Sequence, residues 1–337
     1  MKENILLTIA VTTYNRRKFL ETTVDRSIKQ IIDAGLEKEV EILISNDSST
    51  DNTSEFVNKI NEKYTFVRGF NQNKNLGVTK NLEWVVNESK GIYVQLHGDD
   101  DLMEEGAIAY FIKIIKEKAP NFILINTTNI HSLDDSNQKY KFVLENRLKI
   151  NENIFIDNIE TNYNKLKKTN NWLYLTNFIT AVIFKKDLWQ REMKNALKYV
   201  RPENVFLWQA PLIIGIKKYG RLHLISQCFI LCRKNPTDNY ALDPRGLYYI
   251  NLYESIEISR LIKYYLPSEY KSHKRIYGAF IINSFIKEIG RGRKIRKHAW
   301  NAFMRYYDIF PQNIKFIIIA ITPKLFMRFY NSLLKLK

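Results

Sequence analysis

The sequence predicts an α/β fold: a mostly parallel central sheet with helices on both faces, followed by a helical, basic C-terminal region. Three observations predict it. Over residues 1–126, apolar runs of strand length alternate with segments whose apolar residues recur at helical spacing, as strands buried under crossover helices require. Polar, motif-like segments at residues 12–16, 46–52 and 97–101 each follow such a run, where a doubly wound sheet gathers its ligands. The charge is also lopsided. The net charge is +17, yet residues 260–337 hold 17 Lys or Arg and only three acids (Glu269, Glu288, Asp308), so that stretch carries +14 of it. Such a tail suits an anionic surface.

The elements follow in order. Residues 5–11 form an apolar strand run, and residues 17–34 place Phe19, Leu20, Val24, Ile28, Ile31 and Ile32 near helical spacing. A second strand over 40–44 leads through an Asn/Asp/Ser/Thr turn into a helix containing Phe56, Val57 and Ile60. A weaker strand over 64–69, a polar loop over 71–77 and a helix over 79–89 come next. A strand over 93–96 then runs into His97-Gly98-Asp99-Asp100-Asp101, with a helix expected over 104–118. Residues 127–170 are polar and weakly periodic and read as an excursion. Residues 178–184 and 223–232 read as strands, and 186–197 and 203–216 as helices.

The C-terminal part, residues 246–337, reads as helical and basic, with a compact positive cluster at 290–297. Its apolar run over 314–321 is far short of the roughly 20 residues needed to span a bilayer. The last residues set Leu325, Phe326, Phe329, Tyr330, Leu333 and Leu334 against Lys324, Arg328, Asn331 and Lys335, the stripe of an interfacial helix. No nucleic-acid motif accompanies the charge, so nucleic acid is not expected as a partner. The N-terminal residues lead straight into a strand, without the regions of a signal peptide. Cys228 and Cys232, four apart in an extended run, stand roughly 13 Å apart and read as free buried thiols of a reducing cytoplasm.

Three adjacent carboxylates at the end of a strand need a reason, because Asp is depleted in strands and like charges repel. One reason is a hard divalent cation, Mg2+ or Mn2+, which takes carboxylate oxygens. The other is a solvated turn whose last Asp caps the next helix. The wider pattern favours the cation. Thr12-Thr-Tyr14-Asn15-Arg16, Asn46-Asp47-Ser-Ser-Thr-Asp51, Asn75-Leu-Gly77 with Lys80-Asn81, and Gly98-Asp99-Asp100-Asp101 stand in order. Together they resemble the family 2 glycosyltransferases of the GT-A fold, close to the bacterial enzymes that build surface polysaccharides.

The resemblance implies a GT-A domain over residues 1–235, with a nucleotide-binding half (1–126) and an acceptor half (127–235), and a membrane-associating C-terminal region over 246–337. It implies inverting, metal-dependent transfer of a sugar from a nucleotide-sugar donor, most simply a UDP-sugar, to a lipid-linked saccharide. The enzyme would sit peripherally on the inner face of the cell membrane. Tyr14 would flank the base, with Thr12 contributing backbone contacts. Asp47 would accept from a pyrimidine N3–H, although helix capping would also suit it. Lys80 would lie near the diphosphate or base, or be a solvated lysine. Asp99 would face the ribose hydroxyls, and Asp100, with Asp101 sharing the task or capping a helix, would hold Mn2+ or Mg2+. His97 stands where the family commonly has an acid and reads as facing a polar cleft. The general base is an acid at a helix start in this family. Glu203 fits that place, where it would otherwise be a first-turn Glu favoured by the helix dipole; Asp187 is the runner-up. Trp172, Tyr174 and Asn177 would line the acceptor side. Two other readings stand beside this one: a non-catalytic sugar-nucleotide-binding homologue, and a nucleotidyltransferase, which would be expected to carry a Gly-rich loop after strand one.

Overall fold

The computed structural model describes residues 5–132, 140–143, 150–169, 172–233 and 254–274, and the chain divides into two compact units, Met1–Pro236 and Thr237–Lys337. The first unit is built on one sheet. Its leading strand β1 (Leu7–Thr13) is buried almost throughout because both faces are covered. Helix α1 (Arg17–Asp33) buries Leu20, Val24, Ile28 and Ile31 and returns the chain to β2 (Val40–Asn46). Helix α2 (Thr53–Lys63) leads to β3 (Val67–Asn71), and α3 (Val78–Glu88) to β4 (Tyr93–Gly98). These four strands are parallel and lie in the order β3-β2-β1-β4.

The second half of the sheet departs from that pattern. Strand β5 (Leu102–Met103) precedes α4 (Ala107–Lys118) and β6 (Phe122–Ser132). After β7 (Tyr140–Val143), β8 (Ile154–Ile156) and the short α5 (Tyr163–Lys167) come two 3-10 turns, Trp172–Asn177 and Ile179–Ala181. Strand β9 (Val182–Lys185), α6 (Lys186–Ala196), α7 (Gln209–Tyr219) and β10 (Leu222–Arg233) complete the unit. The full order is β3-β2-β1-β4-β9-β6-β10-β5, with β7 on β6 and β8 on β10. β9 is antiparallel to both β4 and β6, whereas β6 and β10 run parallel.

Four expectations change here. The strand expected over 178–184 is half 3-10 turn, because the backbone N–H of Ala181 bonds the Phe178 carbonyl before extended pairing begins. The excursion expected from 127 starts later. Asn126, Thr127, Thr128 and Asn129 are buried strand residues, and the Asn126 side-chain amide donates to the Ser226 carbonyl at 2.9 Å where β10 bulges. The helix expected from 104 begins at Ala107, since Leu102 and Met103 first pair with β10. The helix expected from 203 begins at Gln209, after a run of turns over 202–208.

In the second unit, α8 (Ser255–Tyr265) buries Ile256, Ile258, Leu261 and Ile262, and a further helical stretch covers 267–274. The Ser259 hydroxyl and His273 Nε2 lie 2.8 Å apart between them. The basic cluster at 290–297, the apolar run at 314–321 and the terminal stripe lie outside the described residues. No helix among the described residues is long and apolar enough to cross a membrane. Neither cysteine forms a disulfide among the described residues; Cys232 is buried, and burial pushes the half-buried Cys228 thiol up to about 11.

Candidate functional site

From β1 the chain steps through β2 to β3 on one side, while β4 pairs on the other. The sheet therefore has its switch point between β1 and β4, and a crevice opens at their carboxyl ends. Thr12 pairs there with Ser45 and Gly98, and Thr13 with Asn46. All three polar segments found in the sequence end in this crevice.

The acidic cluster splits into two parts. Asp99 is buried; its Oδ2 accepts from the Thr13 hydroxyl at 2.7 Å, and its Oδ1 lies 3.1 Å from Arg16 Nη1. Asp100 Oδ2 accepts from Arg16 Nη2 at 2.6 Å. One guanidinium thus bridges two carboxylates. Asp101 turns away from that point: its Oδ2 accepts from the Thr180 hydroxyl at 2.5 Å, and the same Thr180 oxygen accepts the Gly98 N–H at 3.0 Å. Asp101 caps no helix, because it leads into β5. From α1, the Thr23 hydroxyl lies 3.0 Å from the carbonyls of both Asp99 and Asp101. Gly98 is required by closeness: a Cβ there would lie 2.7 Å from Asp101 Oδ2.

His97 does not face a polar cleft. It is buried beside Val11 of β1, and burial pushes its imidazole down to about 4. Its Nδ1, 2.9 Å from the Gly98 carbonyl, carries the proton and donates, which leaves Nε2 unprotonated and without a hydrogen-bond partner among the described residues.

Sequence reasoning assigned no role to Arg16 beyond its place in a motif, and none to Arg233. Both guanidinium groups lie over Phe19 of α1, at 5.1 and 5.0 Å from the ring centroid. Arg233 ends β10, the strand whose Leu231 and Ile230 pair with Leu102 and Met103 just after the acidic cluster. The Arg16 contact joins residues 84 apart, and no local spacing encodes it.

The β2 end holds two loops. Asp47 is buried, and its two oxygens accept the backbone N–H groups of Leu76 (2.6 Å) and Gly77 (3.0 Å). Gly77 has φ 78°, which glycine adopts freely, and it starts α3. Asn81, from the same motif, is buried and accepts from the Ser45 hydroxyl at 2.6 Å. Asn15 (φ 53°) stitches the loop after β1 to the loop after β2: its Oδ1 accepts the Thr50 N–H at 2.7 Å and its own N–H donates to Ser49 Oγ at 2.8 Å. Thr12 and Tyr14 are half-buried at the end of β1, and Lys80 is exposed in the first turn of α3.

Glu203 is exposed in the turns before α7, not at the helix start. The turn is tied to α3 because the Thr79 hydroxyl donates to the Asn204 carbonyl at 3.3 Å, while Asn204 Oδ1 accepts the Phe206 N–H at 2.8 Å. Asp187 is exposed on α6 and pairs with Arg191 at 3.2 Å. Trp172 is 1% exposed and packs into the core, so it offers no open face to an acceptor. Asn177 is half-buried, and neither its side-chain oxygen nor its nitrogen is hydrogen-bonded to a described residue; the side chain of Tyr174 lies outside the described residues.

Known proteins resemble this chain in sequence and in fold. The sequence profile of the family described as "Glycosyl transferase family 2" matches residues 8–188. Glycosyltransferase GlyG of Streptococcus pneumoniae serotype 4 is 25% identical over 137 residues, 41% of this chain and 43% of that protein. Abequosyltransferase RfbV of Salmonella typhimurium is 27% identical over 120 residues, 35% of each chain. The chain therefore spans less than half the length of these curated relatives. Among solved structures, S. aureus TarS 1-349 in complex with UDP-GlcNAc superposes with a TM-score of 0.58 over 90% of this chain and 80% of that one, at 14% identity, a likeness of fold.

Proposed function

The chain belongs to glycosyl transferase family 2, and from that premise we propose that it moves a sugar from a nucleotide-sugar donor, most simply a UDP-sugar, onto a lipid-linked saccharide with inversion at the anomeric carbon. The observation that carries the reading is the convergence of Asp99 and Asp100 on one point at the β1–β4 switch point, with Tyr14 and Asp47 on the neighbouring strand ends.

Within this proposal the residues have separate tasks. Tyr14 supplies an aromatic face for the base. Asp47 holds the loop over 72–77 and keeps acceptor sites to spare for a base N–H, since an ionised carboxylate has about four and two are used. Lys80, exposed beside that loop, suits the donor's negative charge. The donor set fits a hard divalent cation: two carboxylates already share one cationic partner, and Mn2+ or Mg2+ takes such oxygens. Asp100 would hold it with Asp99 rather than with the expected Asp101, whose carboxylate is taken by Thr180 and keeps the turn in shape. Bound there, the cation supplies neutralisation of charge on the departing diphosphate.

Glu203 is the candidate base. It makes no ion pair with any described residue, so its carboxylate is available to take the acceptor hydroxyl's proton. GlyG and RfbV, a glycosyltransferase and an abequosyltransferase by name, support sugar transfer; the same proposal puts this chain in surface polysaccharide synthesis, with the basic C-terminal region holding it on the inner membrane face near a lipid-linked acceptor.

Nucleotide sugars are screened for Mn2+-dependent thermal stabilisation of the purified chain, because a bound ligand raises stability in proportion to ln(1 + [L]/Kd). One donor should raise the melting temperature, and Asp100→Asn should abolish both that rise and turnover. Full activity in Asp100→Asn defeats the assignment. Glu203→Gln should keep donor binding and lose transfer. The exposed turn position of Glu203 favours the second reading, a non-catalytic sugar-nucleotide-binding homologue. A wild type that binds donor but transfers to no saccharide acceptor decides for it.

A further inference from the structure

We infer that Arg16 is a built-in counter-cation that an arriving divalent cation must displace, and that its release onto the donor's diphosphate couples metal binding to nucleotide binding. The inference rests on the glycosyltransferase reading and goes beyond it, because it concerns how the site loads.

Three features carry it. Arg16 bonds both carboxylates that face the crevice, at 3.1 and 2.6 Å, with the two nitrogens of one fork. The Arg16 side chain is 31% exposed and that of Asp100 20%, so solvent ions reach the pair, whereas the alternative acid, Asp101, is buried and held by Thr180. Arg233 faces the same ring of Phe19 from β10. Arg16 and Arg233, both over Phe19, set two positive charges beside the point that a bare dication would enter. The dication gains the carboxylates only if Arg16 leaves them.

Released from the carboxylates, the Arg16 guanidinium has its donor fork open to an anion, and a diphosphate matches that fork. Phe19 already supports Arg16 through its face at 5.1 Å, so the side chain can change partner with its stem in place. A metal–diphosphate pair therefore satisfies both halves of the broken ion pair at once, and each ligand strengthens the other by the same factor.

The full-length protein is titrated with Mn2+, and unbound Mn2+ is read by electron paramagnetic resonance. The titration is run alone and with uridine or guanosine diphosphate, the nucleotide's own chelation being measured separately. Wild type should bind Mn2+ weakly alone and more tightly with nucleotide. Arg16→Gln should bind Mn2+ alone roughly tenfold more tightly, the change expected on losing one or two exposed ion-pair contacts, and its coupling to nucleotide should shrink by the same factor. Arg16→Lys, which keeps the charge without the fork, should fall between, and it serves as the reading if circular dichroism shows that Arg16→Gln does not fold. A folded variant whose Mn2+ affinity is unchanged or weaker overturns the exchange and leaves the glycosyltransferase reading in place. A wild type that binds no Mn2+ with either nucleotide sinks both the exchange and the metal assignment.

Discussion

Thr180 shows how much of the site rests on single polar atoms. Its hydroxyl donates to Asp101 and accepts from the Gly98 N–H, fixing the turn that presents Asp99 and Asp100. Thr180→Val keeps the shape and removes both bonds, so it should cost about 1–3 kcal/mol in urea unfolding and raise KM for donor more than it changes the fold. Gly98→Ala pushes a methyl group into Asp101 and should cost a similar ~1–3 kcal/mol; an unchanged melting temperature contradicts the close approach. His97 adds a pH signature. Its folded value, about 4, lies below the ordinary 6.5, so the two states bind protons alike above about pH 6.5. Below that the unfolded chain takes up a proton that the folded chain refuses, and stability falls as pH drops towards 4, by about 3 kcal/mol at most. Urea midpoints from pH 7.5 down to 5 should fall, and His97→Gln should flatten the decline; equal slopes would mean that His97 is not held neutral. At this scale the sequence marks the acidic cluster, with Asp99 read for the ribose and Asp100 with Asp101 for the cation, but not its partners: Arg16 and Thr13 reach Asp99 and Asp100, and Thr180 reaches Asp101, from elsewhere in the chain.

At the scale of elements, legibility followed burial pattern. β1, β2 and β4 are legible because each is an apolar run under crossover helices with a polar motif at its carboxyl end, whereas β3, expected over 64–69, lies at Val67–Asn71 and buries only Val67. Strand β6 runs on past 127, where the sequence reads as an excursion, because Asn126 to Asn129 are polar yet buried, satisfied in part by a bulge in β10 that no local signal announces. The start of α7 was placed too early because Pro202-Glu203 imitates a helix N-terminus, whereas Asn204 instead accepts the Phe206 N–H and closes a turn. One polar anchor holds the α6–α7 pair. Glu192 is buried and accepts from Lys218 Nζ at 2.8 Å, Asn195 Nδ2 at 2.8 Å and the Tyr219 hydroxyl. Glu192→Ala leaves those donors without it and should lower stability by about 2 kcal/mol, measured by chemical denaturation. Because α7 follows the Glu203 turn, that variant should also lose transfer before it loses donor binding.

For the whole molecule, charge and compactness lead to one experiment. Residues 1–236 form a compact unit of their own, and most of the +17 net charge lies beyond it. The full chain should co-sediment with vesicles containing anionic lipid at low salt and detach as salt rises, while a chain ending at residue 236 should stay in the supernatant. Equal behaviour of the two would remove the tail from the account of localisation. The sheet order has a consequence for the newly made chain. β9 closes the flank of β4, yet it is encoded 84 residues after Gly98. At ribosomal speeds of about 5–20 residues per second, the nascent β3-β2-β1-β4 ribbon waits roughly 4–17 seconds with the backbone amides and carbonyls of its β4 edge unpaired. An open edge of that kind recruits other strands. Slowing translation between residues 98 and 182 should therefore raise the share of chain that aggregates during synthesis, with no change to the protein's sequence.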